Sequence, residues 1–77
     1  MQRVKFDCSK LASRIKQQYG SMRAFAAAMN MSPAALSNRL HSRAQFSMQE
    51  IDTACRLLLI PAAECYEYFF TVSIEID

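Results

Sequence analysis

Residues 21–42 read SMRAFAAAMNMSPAALSNRLHS. Ser21 is a helix N-cap residue, and Phe25 and Met29 follow at the spacing that puts both on one face of a helix. Ala26, Ala27 and Ala28 carry side chains small enough for another helix to approach closely. Asn30 is the non-glycine residue best suited to a left-handed turn. Ser32-Pro33 then pairs an N-cap with proline at the first helical position, so a second helix starts there and runs to about Leu40. Two short helices joined by a turn of about three residues make a helix-turn-helix.

Outside this unit the apolar spacing keeps the helical period. Upstream, a cap at Asp7 or Ser9 opens a helix with Leu11, Ile15 and Tyr19 on one stripe, and Gly20 ends it. Downstream, Ser47-Met48-Gln49-Glu50 has the capping-box pattern, followed by Ile51, Cys55 and Leu58 at i, i+4 and i+7. A fifth helix is expected from Pro61 to the aromatic run Tyr66, Tyr68, Phe69, Phe70. At the two ends, Arg3-Val4-Lys5-Phe6 and residues 71–77 alternate polar and apolar side chains and read as short strands. Paired antiparallel, residues 2 to 6 with 71 to 76, they cover each other's apolar faces within one chain or between two. The fold class is therefore mainly all-α, with five helices and short N- and C-terminal strands.

Composition bounds the function. A chain of 77 residues, 52% hydrophobic with one glycine, makes one compact domain with a modest core and no separate sensing domain. Cys8, Cys55 and Cys65 are odd in number and lack C-x-x-C spacing, against a disulfide framework or a zinc site; Cys55 and Cys65 read as small core residues in a reducing cytosol. No apolar run reaches transmembrane length and the N-terminus has no signal-type apolar stretch, so neither export nor a membrane partner is expected. His41 is the sole histidine, without a Ser, Cys or acidic partner at triad spacing. Glu64 and Glu67 read as a solvated face, and one glycine builds no phosphate loop. The chain is expected to be no enzyme and to bind no cofactor, metal or small-molecule ligand.

Charge is divided along the chain. Up to residue 46 there are eight basic residues (Arg3, Lys5, Lys10, Arg14, Lys16, Arg23, Arg39, Arg43) and a single acid, Asp7. Beyond it Arg56 stands against Glu50, Asp52, Glu64, Glu67, Glu75 and Asp77. Such a dipolar chain presents its basic half to a polyanion. With Leu36 turned inward, Leu40 lies about 40° away, whereas Ala34, Ser37, Asn38 and His41 fall at about 100–200° and form one outward stripe. That stripe is small and polar enough for a DNA major groove: Asn38 suits adenine, Ser37 suits several base edges, and the Ala34 methyl suits thymine. Arg39 and Arg43 flank it within reach of phosphates, and the first turn at Ser21, Met22 and Arg23 is a second phosphate clamp.

The same residues resemble the helix-turn-helix of the Cro and phage-repressor (XRE) family. Ala26 stands at that family's mid-helix alanine, and Asn30-Met31-Ser32 replaces its usual Gly-Val-Ser turn. Ile15-Lys16-Gln17-Gln18-Tyr19-Gly20-Ser21, Leu36-Ser37-Asn38-Arg39-Leu40 and Glu67-Tyr68-Phe69-Phe70 extend the likeness to small phage Cro-like regulators over almost the whole chain. The resemblance implies a lambda-repressor-like DNA-binding domain that represses transcription as a homodimer on a palindromic operator, in the cytoplasm and nucleoid of a bacterial host. Base reading falls to Pro33, Ala34, Ser37, Asn38 and His41. Phosphate contacts fall to Ser21, Met22, Arg23, Ser32, Arg39 and Arg43. Met22 departs from a frequent glutamine, and Pro33 and Ala34 from residues that often read bases. A second reading fits the short stripe and the small net charge: a helical protein-interaction module, of antirepressor or antitoxin type, that binds a partner protein instead of DNA.

Overall fold

The computed structural model describes the backbone of residues 2–76 and the side chains of residues 6–72. Five α-helices lie between two strands: β1 (Gln2–Phe6), α1 (Ser9–Tyr19), α2 (Met22–Ala28), α3 (Pro33–Leu40), α4 (Met48–Leu57), α5 (Cys65–Phe69) and β2 (Val72–Ile76), with a 3₁₀ turn at Ala62–Glu64 before α5. The strands pair antiparallel within the chain, Gln2 opposite Ile76 and Phe6 opposite Val72, and the Asp7 amide continues the ladder to the Thr71 carbonyl at 2.7 Å. The expected apolar faces of Val4, Ile74 and Ile76 lie outside the described side chains.

Starts and stops follow local chemistry. Ser21, Ser32 and Ser47 each accept the amide three residues on, and the Glu50 carboxylate returns to the Ser47 amide to complete the capping box. At α1 the expected cap differs: Cys8 is the capping residue by backbone alone, while the Asp7 carboxylate accepts from the Ser9 amide and hydroxyl and is held below its ordinary pKa by those bonds. Gly20, at φ 81°, ends α1 in the left-handed region. The fifth helix is shorter than expected because Pro61 stays extended (ψ 149°) and the first turn after it is 3₁₀.

α2, α3 and α4 all end in the same six-residue hydrogen-bonded turn. Met31 donates to Ala26, Arg43 to Asn38 and Ile60 to Cys55, while Asn30, Ser42 and Leu59 sit at φ near +60°. Asn30 was expected there; Ser42 and Leu59 were not. A leucine in this region costs about 1–2 kcal/mol, so something must hold it. The holder is α1. Arg14 donates from Nε and Nη2 to the Leu58 carbonyl (3.2 and 3.0 Å), from Nη2 to that of Leu59 (3.1 Å) and from Nη1 to the Tyr68 hydroxyl (3.1 Å). Gln18 adds a bond to Leu58, and the Tyr19 hydroxyl one to Leu57. Three carbonyls left over at the end of α4 are thereby satisfied by one face of α1.

Beneath these connections Leu11, Ile15, Phe25, Leu36 and Leu58 are fully buried and pack with Ala26, Ala54, Ile60, Tyr68 and Phe69 into a single cluster. Among the described residues no polar or charged side chain is buried and no helix is long and apolar enough to cross a membrane.

Candidate partner-binding face

Leu36 anchors α3 to the core with no exposed surface, which fixes the opposite face outward: Ala34, Asn38 and His41 are exposed and Ser37 is half-buried. The stripe expected from the sequence is therefore presented as one surface. Many of its polar groups are already engaged within the chain. Asn38 Oδ1 accepts from Arg43 Nη1 at 3.3 Å, and His41 Nδ1 lies 2.8 Å from the Ser37 carbonyl, which makes that nitrogen the donor.

Arg39 departs most from expectation. Its Nε and Nη2 form a fork on the two carboxylate oxygens of Glu50 (2.8 and 3.1 Å), and Nη1 donates to the Ala35 carbonyl. The pair is about three-quarters buried and ties α3 to the start of α4, so Arg39 is not placed to meet a phosphate. Ser21 and Ser32 accept capping bonds on their hydroxyl oxygens while staying exposed, and Met22 packs half-buried against the core. Of the expected charged phosphate contacts, Arg23 and Arg43 are exposed.

The Arg39 guanidinium, aided by the Ser47 amide, holds the Glu50 carboxyl below its ordinary pKa. A folded-state pKa that is depressed adds stability above the unfolded pKa and loses it as pH falls through the folded one. Thermal unfolding of the natural chain should therefore drop more steeply between about pH 5 and pH 3 than that of Glu50→Gln. Parallel curves would remove the ion pair from the acid response.

Beside the stripe is a groove that the sequence reading missed. A cavity of about 600 Å³ runs between the start of α1, the start of α2 and the outer face of α3; Phe6, Ala12, Met22, Pro33 and Leu40 give it apolar walls, and Asp7, Ser9, Ser37, His41 and Ser42 line it with polar groups. At Phe6, Cys8 and Ser42 it meets a second cavity of about 370 Å³ walled by Phe46, Phe69, Phe70 and Ile51. Phe6 forms the ridge between them, stacked edge-on to Phe70 at 5.5 Å, and Phe46 meets Phe69 the same way at 5.1 Å. Ser42 is the hinge: its left-handed turn brings its hydroxyl to the Phe6 carbonyl at 3.2 Å and joins the end of α3 to the end of β1. A period-based reading of the helices could not find this trough, because its walls come from segments distant in sequence. Apolar walls with a few polar groups suit the side chains of another protein. Among the described residues no group of His, Cys, Asp and Glu is arranged to hold a metal.

Comparison with known proteins bears on the choice between DNA and a protein partner. Residues 4–72 match the family described as "Protein of unknown function (DUF739)". No curated protein matches the chain. Among solved structures, the solution structure of the modulator of repression (MOR) of the temperate bacteriophage TP901-1 from Lactococcus lactis is similar over 84% of this chain and 88% of that one, at 29% identity and a TM-score of 0.75. This corrects the expected assignment to the Cro/XRE repressors. The similar structure is a modulator of repression and not a repressor, so operator DNA as the partner, the operator-bound homodimer and the repressor activity itself are not supported.

Proposed function

For this chain, which belongs to the DUF739 family, we propose a helical protein-interaction module that modulates a phage repression circuit by binding a regulator protein. The observation that carries the reading is the likeness to the TP901-1 modulator of repression over most of both chains. The groove beside α3 supports it in kind. A helix-turn-helix that reads DNA needs free donors aimed outward; here Arg39 is turned to Glu50, and the wall next to the stripe is apolar. The chain acts as one domain without catalysis, in the cytoplasm of the phage's bacterial host.

A reporter experiment separates this from direct action on DNA. A promoter under the control of the phage's own repressor is measured with and without the chain, and a matched strain lacks the repressor. The expected result is a change in promoter output only where the repressor is present, together with a gel shift of operator DNA by the purified chain no stronger than that of random DNA. An equal change in the strain without repressor would overturn the reading.

A further inference from the structure

Cys55, in the last turns of α4, and Cys65, the first residue of α5, bring their sulfurs to 2.9 Å. A disulfide bond is about 2.05 Å long, so less than about 1 Å of approach separates the thiol pair from the bonded state. The junction carrying them is fixed from several sides. The Ile60 amide closes the turn onto the Cys55 carbonyl, and Arg14 and Gln18 grip the intervening carbonyls of Leu58 and Leu59. The third cysteine, Cys8, is a buried free thiol at the other end of the chain's helices, before α1. Among the described residues no third ligand joins the pair into a metal site.

We infer that Cys55 and Cys65 form a reversible intramolecular disulfide, a thiol–disulfide exchange site at the α4–α5 junction that takes a low-molecular-weight disulfide as its oxidant. The two sulfurs differ in access. Cys65 is half-buried, whereas Cys55 is 8% exposed and is pushed up to about pKa 12, first by burial and then by its hydrogen bond to Cys65. Cys65 is therefore the sulfur that meets the oxidant. As the thiolate it attacks one sulfur of R–S–S–R, forming Cys65–S–S–R and releasing R–S⁻. Cys55 then gives its proton to solvent and attacks the Cys65 sulfur, breaking the bond to R and releasing the second R–S⁻. Two electrons pass from the cysteine pair to the small disulfide, which leaves as two thiols. The product pins the turn that displays Leu59, 76% exposed in its left-handed conformation, against the start of α5.

The test uses the full folded chain with glutathione disulfide at about pH 8, acid quenching, alkylation of remaining thiols and peptide mapping. The expected result is a chain with one alkylated thiol, at Cys8, and a 55–65 linkage. Its unfolding midpoint should be higher by roughly 10 °C, and dithiothreitol should return three alkylated thiols. Cys8→Ser should oxidise like the natural chain, and Cys65→Ser should form no intramolecular bond. Three alkylated thiols after prolonged exposure, a persistent glutathione adduct on Cys65, or a linkage that includes Cys8 would each overturn the proposal. None of these readouts involves a partner protein, so the outcome is independent of the proposed function.

Discussion

Replacing Arg14 by alanine should lower the unfolding midpoint by at least about 10 °C, the largest loss expected from any side chain that is not buried in the core. Four hydrogen bonds depend on this guanidinium, three of them to the carbonyls of Leu58 and Leu59 at the end of α4 and one to the Tyr68 hydroxyl. Bonds from a charged donor contribute about 1.5–3 kcal/mol each in favourable cases, and a carbonyl left unmatched away from water costs a further 1–3 kcal/mol. Gln18 still reaches Leu58, which limits the damage to about 3 kcal/mol in total. A domain of this size holds roughly 5–15 kcal/mol at most. Arg14→Lys keeps a positive charge at the negative end of α4 but has no planar fork to bridge two carbonyls, so it should recover less than half of the loss. Thermal unfolding read by far-UV circular dichroism gives the midpoint of both variants, and chemical denaturation gives the free-energy difference. An alanine variant within about 0.5 kcal/mol of the natural chain would mean that the clamp orders the turn without stabilising the fold.

The clamp also marks the boundary of what the sequence could tell. Features encoded locally were legible: Ser32-Pro33 as a helix start, the capping box of Ser47 and Glu50, Gly20 as a stop, and the alternation that marks each end as a strand. Each is decided by a side chain bonding its own neighbouring backbone, or by a period of two or 3.6. Arg14 to Leu58 spans 44 residues, and no local rule links them. Leu59 could not be placed in the left-handed region because its own propensity opposes it; tertiary hydrogen bonds overrule the propensity. Arg39 was read as a phosphate ligand from its position on α3, yet Glu50, the residue that identified the next helix, also takes its guanidinium. The question of DNA or protein was not decidable from the stripe itself. Ala34, Ser37 and Asn38 have the same chemistry whether they face a base edge or a partner's side chain, and the groove beside them takes a wall from Phe6 of β1, distant from α3 in sequence.

That groove makes the second prediction with a large effect. Under the proposed function, Pro33→Glu should abolish any effect of the chain on a repressor-controlled promoter while leaving the fold intact. Pro33 is the first residue of α3, exposed, and forms a wall of the groove with Met22 and Leu40. A carboxylate at this position is favoured by the α3 dipole by about 0.3–1 kcal/mol, which offsets the loss of a proline suited to the first turn. Stability should therefore stay within about 0.5 kcal/mol of the natural chain. Binding responds differently, because a contact closing over the groove would strip water from the new charge, whose lining neighbours are apolar side chains, neutral hydroxyls, a single imidazole and the like-charged Asp7. Leaving one charge buried and unpaired at an interface costs about 2–5 kcal/mol, a loss of roughly 30-fold or more in affinity. Thr53→Glu adds the same charge on an exposed position of α4 away from the groove and should change neither stability nor promoter output. The two variants share charge and differ only in place, so the comparison isolates the groove from the general effect of added acidity. If Pro33→Glu and Thr53→Glu both act like the natural chain at equal expression, the partner does not dock between α1, α2 and α3, and the face must be sought elsewhere on the molecule.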